Sequence, residues 1–325
     1  MCGIVGVYNI SRKSLNAVPE HIYKDMTNAL SHRGPDEVND IHLDSIWIGF
    51  RRLSIIDISN GHQPIWNEDK TIVCICNGEI YNFKELRHSL MEKGHLFRTA
   101  CDVEVLVYLY EEYTTDMFKH INGQFALMIY DLNRQELLLA RDHIGICPLF
   151  YTQVNDHIIF GSEIKSILTY LGLQREVNLE GLDQIFCLPG LCSPTTMFKG
   201  INALRPGCYL LVKDGNYLVH EYWDLIFSIP PERDHSEHYY SRELYDRLER
   251  SVKYRLLVAH QDDWQLFMSP EIVTDILDEK CKTAIIHTTS GDAGKGDGFW
   301  RAREEGAIAS LCFCLSSPGL NAIRH

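Results

Sequence analysis

A cysteine at position 2, directly behind Met1, can act as a catalyst that carries its own base. Once Met1 is removed, the Cys2 nitrogen is a free α-amine, which titrates near about 8 and is partly neutral at physiological pH. That amine takes the thiol proton directly or through one water. The thiolate then attacks an amide carbonyl and forms a thioester. The plainer reading is a small buried thiol on a first strand, since free cysteine is often buried. Other residues fit the amide chemistry. Asn77-Gly78 offers a side-chain amide and a backbone N–H for an oxyanion, and glycine permits close approach. Arg52 presents the planar fork that clamps a carboxylate, and Glu79 and Asp102 are anions that can take an ammonium group. Each has a bland alternative: a surface ion pair for Arg52, a turn for Asn77-Gly78, a helix N-cap for Asp102.

The elements that must position these residues are mostly strands. Runs rich in β-branched and aromatic residues predict strands over 4–8, 46–50, 71–76, 124–130, 136–141, 149–153 and 157–161. A hairpin over 208–212 and 217–221 turns through Asp214-Gly215. Helical spacing marks 18–31, 82–93 with Gly94 behind it, and 102–113. In this reading Arg52 follows one strand, Asn77-Gly78-Glu79 follows another, and Asp102 opens a helix. Helices between blocks of strands predict two packed sheets with helices outside, an α+β arrangement. Pro230-Pro231 and the polar run after it read as a linker. An amphipathic helix is expected over 241–257, and no strong hydrophobic period follows it up to residue 325.

The net charge of -13 argues against a nucleic-acid-binding face, which would be basic. Eleven cysteines, an odd number, predict free thiols in a reducing cytoplasm. Cys74 and Cys76 alternate, as do Cys312 and Cys314, and neither pair has the spacing of a zinc site, so no metal is expected. No secretory signal or bilayer-spanning apolar run is read.

Together these residues resemble the class II, N-terminal-nucleophile glutamine amidotransferases, and within them the glutamine-hydrolysing asparagine synthetases. The matching text includes Met1-Cys2-Gly3-Ile4, His32-Arg33-Gly34-Pro35-Asp36, Arg52-Leu53-Ser54-Ile55-Ile56-Asp57, Gly61-His62-Gln63-Pro64, Asn77-Gly78-Glu79-Ile80-Tyr81-Asn82, Gly123-Gln124-Phe125-Ala126, Arg141-Asp142-His143-Ile144-Gly145 and Ser162-Glu163-Ile164-Lys165. The resemblance implies a four-layer αββα Ntn-hydrolase sandwich and Cys2 as nucleophile. It implies an oxyanion hole of Asn77 and Gly78. Arg52, Leu53, Ser54, Ile55 and Ile56 would line the glutamine site, and Glu79 and Asp102 would hold the substrate's amino end. Arg33 and the Arg141-Asp142-His143 turn receive a supporting role.

The resemblance runs to about residue 257. It divides the chain into an amidotransferase domain over 1–225, a linker and helix over 226–257, and an atypical segment over 258–325. Full-length members carry a synthetase domain that uses ATP and Mg²⁺. Its pyrophosphate loop is not found here, and Ser290-Gly291-Asp292-Ala293-Gly294-Lys295-Gly296 lacks the required pattern. The expected activity is therefore the glutaminase half-reaction, which needs no cofactor. The ammonia would escape or pass to a separate synthetase partner, and a homodimer is a further expectation. The competing reading is a glutamine-binding or partner-binding remnant without turnover.

Overall fold

Alternate residues of the first strand, β1 (Gly3–Asn9), face two different apolar layers. Ile4 and Tyr8 enter one cluster of buried side chains, and Val5 and Val7 enter another. This is the period of two expected of a strand. Because both faces are covered, the strand reads as continuously apolar.

The computed structural model describes residues 1–57, 59–226 and 235–259. In the first sheet β1 lies between β9 (His157–Gly161) and β3 (Ile46–Arg52). It is extended by β8 (Phe150–Val154) and β10 (Asn202–Ala203) on one side and by β2 (Glu37–Leu43) on the other. The second sheet runs β12 (Asn216–Glu221), β11 (Cys208–Lys213), β7 (Glu136–Arg141), β6 (Gly123–Asp131), β5 (Ile72–Ile80), β4 (Ile65–Trp66). Every pairing is antiparallel.

Three clusters of buried residues define the layers. Between the sheets, Ile4, Ile48 and Phe50 meet Val73, Met128 and Leu139. On the outer face of the first sheet, Val5, Val7 and Trp47 pack with Ile22, Tyr23 and Met26 of α1 (Glu20–Asn28) and Ile167 of α4 (Ile164–Ile167). On the outer face of the second, Cys74, Cys76 and Leu127 pack with Phe83 and Leu90 of α2 (Phe83–Glu92) and Leu106 and Leu109 of α3 (Val105–Tyr113). The result is the αββα order that the resemblance implied. Cys74 and Cys76 are core thiols, and among the described residues no group of side chains is set to hold a metal ion.

Two differences from the sequence reading matter for the site. First, β5 does not stop at residue 76. It continues to Ile80, paired with β6 in the register Asn77↔Ala126, Gly78↔Phe125 and Glu79↔Gln124. Asn77-Gly78-Glu79 is therefore strand, held by a partner strand that local composition does not reveal. Second, β2 was not expected. It is an edge strand with alternating exposure and charged residues, a pattern of low intrinsic β preference. Helix α5 (Leu179–Cys187) was also not expected. The predicted helix over 241–257 is α6 (Glu237–Ala259). Pro230-Pro231, the Gly-rich string at 290–296 and the Cys312/Cys314 pair lie outside the described residues. Among those described, no helix is long and apolar enough to cross a membrane.

Candidate active site

The start of β1, the end of β3 and the extended end of β5 converge on one cavity of about 60 Å³, room for a few water molecules. Cys2, Arg52, Leu53, Ile55, Ile56, Asn77, Gly78, Glu79 and Asp102 all line it. Ser54 of the predicted set does not; its N–H donates to Asp36 Oδ2 at 2.8 Å and fixes the loop from outside. Met1 forms part of the cavity wall, so its removal enlarges the space as well as freeing an amine.

The Cys2 thiol is anchored by one residue. Sγ accepts the Leu53 N–H at 3.4 Å and donates to the Leu53 carbonyl at 3.6 Å. Burial pushes the Cys2 thiol up, against the smaller opposing effect of its bond to Leu53. A thiol so placed is protonated at rest and needs a base to become a nucleophile. At the terminal nitrogen burial works in the useful direction: it lowers the pKa of the Met1 amine, and the Arg33 charge lowers it further. Arg33 Nε donates to the Cys2 carbonyl at 2.9 Å, so an amine on Cys2 itself stays beside that charge.

Behind Cys2, Arg33 is tied to Glu163 at 3.1 Å, and His32 and Lys165 bind the same carboxylate at 2.8 and 3.1 Å. Partial burial alone would raise Glu163; the hydrogen bonds from His32, Arg33 and Lys165 outweigh it and hold the carboxyl at about 2, against an ordinary 4.5. A depressed folded-state pKa stabilises above the unfolded value and is lost as pH falls through the folded one. Stability is therefore expected to drop between pH 4.5 and about 2, and Glu163→Gln should flatten that part of the curve. Urea unfolding at stepped pH measures it, and parallel curves for the two proteins would refute the assignment.

Asn77 stands out by what its side chain lacks. The residue is 1% exposed, and neither Oδ1 nor Nδ2 has a hydrogen-bond partner among the described residues. A buried amide left unpaired costs about 1–3 kcal/mol, so this group is open to a hydrogen bond from whatever fills the cavity beside it. Beside it, a Cβ on Gly78 would stand 2.1 Å from the Gln124 carbonyl oxygen and 2.6 Å from the Phe125 Cα. Both are backbone atoms of β6, so no side chain can give way. Gly78→Ala is expected to cost about 1–3 kcal/mol by overpacking and to displace Asn77. A thermal melt and an activity assay together check this, and a variant that matches the parent in both would refute it.

The polar end of the cavity holds opposite charges. Arg52 is 4% exposed. Its Nη2 donates to the carbonyls of Ile56 at 3.0 Å and Asp57 at 2.8 Å, so the loop after β3 wraps around the guanidinium. Asp102 Oδ2 accepts the Ile80 N–H at 2.8 Å, which ties the end of β5 to the turn before α3. Burial raises the Asp102 carboxyl, partly offset by that N–H. A buried carboxylate of this kind gains from an arriving ammonium group.

Sequence reasoning quoted Gly61, Gln63 and Gln124 in motifs without a site role and missed Cys101, Val103 and Cys147; all six also line the cavity. Cys147 is placed by the Arg141-Asp142 turn. Asp142 accepts the N–H groups of Ile144, Ile146 and Cys147, and Arg141 donates to the carbonyls of Gly145, Cys147 and Leu204. The motif was visible in the sequence; that it delivers a second thiol to the cavity was not.

The Cys2 thiol, the buried Asn77 amide and the charged Arg52, Glu79 and Asp102 thus line one cavity on an αββα frame, the kinds of group an N-terminal-nucleophile amidohydrolase uses. Residues 1–223 match the glutamine amidotransferase domain, and the chain belongs to that family. It is 43% identical over 216 residues to asparagine synthetase [glutamine-hydrolyzing] 2 of Bacillus subtilis, covering 65% of this chain and 28% of that protein. It is 39% identical to asparagine synthetase [glutamine-hydrolyzing] 1 of the same organism, covering 70% of this chain and 36% of the relative. The amidase chyE of Penicillium rubens is 35% identical over 255 residues, 76% of this chain and 37% of that one. The chain thus spans about a third of the length of these relatives. Among solved structures, glutamine phosphoribosylpyrophosphate amidotransferase of B. subtilis superposes with a TM-score of 0.50 at 18% identity, covering 69% of this chain and 50% of that one. That likeness supports the fold.

Proposed function

We propose that the chain hydrolyses glutamine to glutamate and ammonia, the glutaminase half of an asparagine synthetase-like protein. After loss of Met1, the Cys2 amine takes the Sγ proton and the thiolate attacks the side-chain carbonyl of glutamine. The developing oxyanion is held by Asn77 Nδ2 and the Gly78 N–H. The protonated amine returns its proton to the departing nitrogen, which leaves as ammonia. The same amine then activates a water that hydrolyses the thioester and releases glutamate. Arg52 receives the α-carboxylate. Asp102 and Glu79 receive the ammonium group, with Leu53, Ile55 and Ile56 lining the space for the substrate.

The observation that carries this reading is the buried, unpartnered Asn77 amide lining the same cavity as the Cys2 thiol. That pairing also disfavours a binding module without turnover. No cofactor enters the step, since nucleophile and base belong to one residue. ATP and Mg²⁺ belong to the synthetase reaction of full-length relatives, and we assign them no residues here. Ammonia then leaves the site, free or to a separate synthetase partner. A free-thiol nucleophile suits the reducing cytoplasm. The test is purified protein with glutamine. Glutamate and ammonia in equal amounts are expected, and absence of both from protein without Met1 would sink the proposal.

A further inference from the structure

The carboxylate-binding arginine is itself held by a residue that touches no substrate. Glu37 opens the edge strand β2 and stands directly opposite Arg52 in the β2–β3 register. Its Oε2 lies 3.4 Å from Arg52 Nη1. On the other side of the guanidinium, a Cβ on Gly61 would meet Nη2 at 2.7 Å, so bare backbone closes that wall. His62 Nδ1 reaches both Glu37 oxygens, at 2.8 and 2.9 Å. Asn39 Nδ2 donates to Glu37 Oε1 and, at 2.9 Å, to the Gln63 carbonyl. The Gln63 side chain in turn accepts the Cys76 N–H at 2.7 Å and donates to the Cys76 carbonyl at 3.2 Å, one residue before Asn77.

We propose that Glu37 is a positioning residue that aims Arg52 at the substrate α-carboxylate and sets specificity for α-amino-acid amides. The proposal rests on the glutaminase reading above. Two effects oppose each other. The Glu37 charge repels an incoming carboxylate, but it also fixes the rotation of the guanidinium within a cradle of carbonyl oxygens. Charge-assisted recognition of a carboxylate depends on that orientation, and small displacements at a site cost far more than a screened charge at its rim. Orientation wins, and loss of Glu37 weakens binding. Glu37→Gln isolates the effect. It keeps the shape and an acceptor for Asn39, but it turns an N–H donor toward Arg52 Nη1 and His62 Nδ1, where the carboxylate oxygen accepted.

The experiment uses Cys2→Ala protein, which binds without turnover, with and without Glu37→Gln. Calorimetry is run with glutamine and with 4-aminobutanamide, which is glutamine without its α-carboxylate. Glu37→Gln is expected to raise the Kd for glutamine by about tenfold or more and to leave the Kd for 4-aminobutanamide within about threefold. Gly61→Ala, which pushes on the same guanidinium, should show the same selective loss. Equal glutamine affinity with and without Glu37→Gln, or equal loss for both ligands, overturns the positioning role and leaves the glutaminase reading standing. Failure of Cys2→Ala protein to bind glutamine at all, with no ammonia from the parent, overturns both.

Discussion

Protein that retains Met1 will release no ammonia from glutamine above background, and Cys2→Ala protein will match it. In the retained form the Cys2 nitrogen is an amide, which has no lone pair to offer as a base. The thiol, raised by burial, then stays protonated at neutral pH. Loss of a general base alone costs about 10²–10⁴ in rate. Loss of the nucleophile costs on the order of 10⁴ or more, with only residual electrostatic catalysis left. Met1 also forms part of the cavity wall, so its retention restricts the substrate. Intact-mass measurement on each preparation, paired with an ammonia assay, separates the populations. Turnover that tracks the Met1-retained fraction would remove the α-amine from the mechanism, and turnover by Cys2→Ala would remove the thiol.

Asn77→Ala is expected to lower kcat by about 10²–10³, the cost of one oxyanion-hole donor, with little change in KM. The same substitution should not destabilise the fold as an ordinary buried truncation does. Asn77 forms no hydrogen bonds that its removal would break, and deleting an unpaired buried amide recovers about 1–3 kcal/mol, which offsets the small cavity left behind. A melting temperature at or above that of the parent, together with a collapsed kcat, is the signature of a group strained for function. A variant that keeps its kcat, or that melts early like a core truncation, would show Asn77 to be structural.

The sequence already carried much of this site because its residues sit in short local strings. Cys2, Arg52 through Ile56, Asn77 through Glu79, and Asp102 could each be named by chemistry and by motif. With the exception of Ser54, all of them reach the cavity. The sheets were legible for a related reason. A strand buried on both faces, such as β1 or β6, leaves an unbroken apolar run whatever its partners are.

What could not be read were properties of pairs far apart in the chain. The β5 strand reaches Ile80 only because β6 pairs with it there, and Gly78 is required because the Gln124 backbone passes close by. Cys147 enters the cavity through a turn organised by Asp142. Glu37 lies in a strand with weak local preference, and its role appears only when the register sets it against Arg52.

Residue types and their order were enough to name the groups that meet at the cavity and the layers of the sandwich, because hydrophobic period and functional chemistry are local properties of the chain. The working geometry came from folding. An unsatisfied amide, a thiol kept protonated by burial and an arginine aimed by an edge-strand carboxylate exist only where distant segments meet and exclude water.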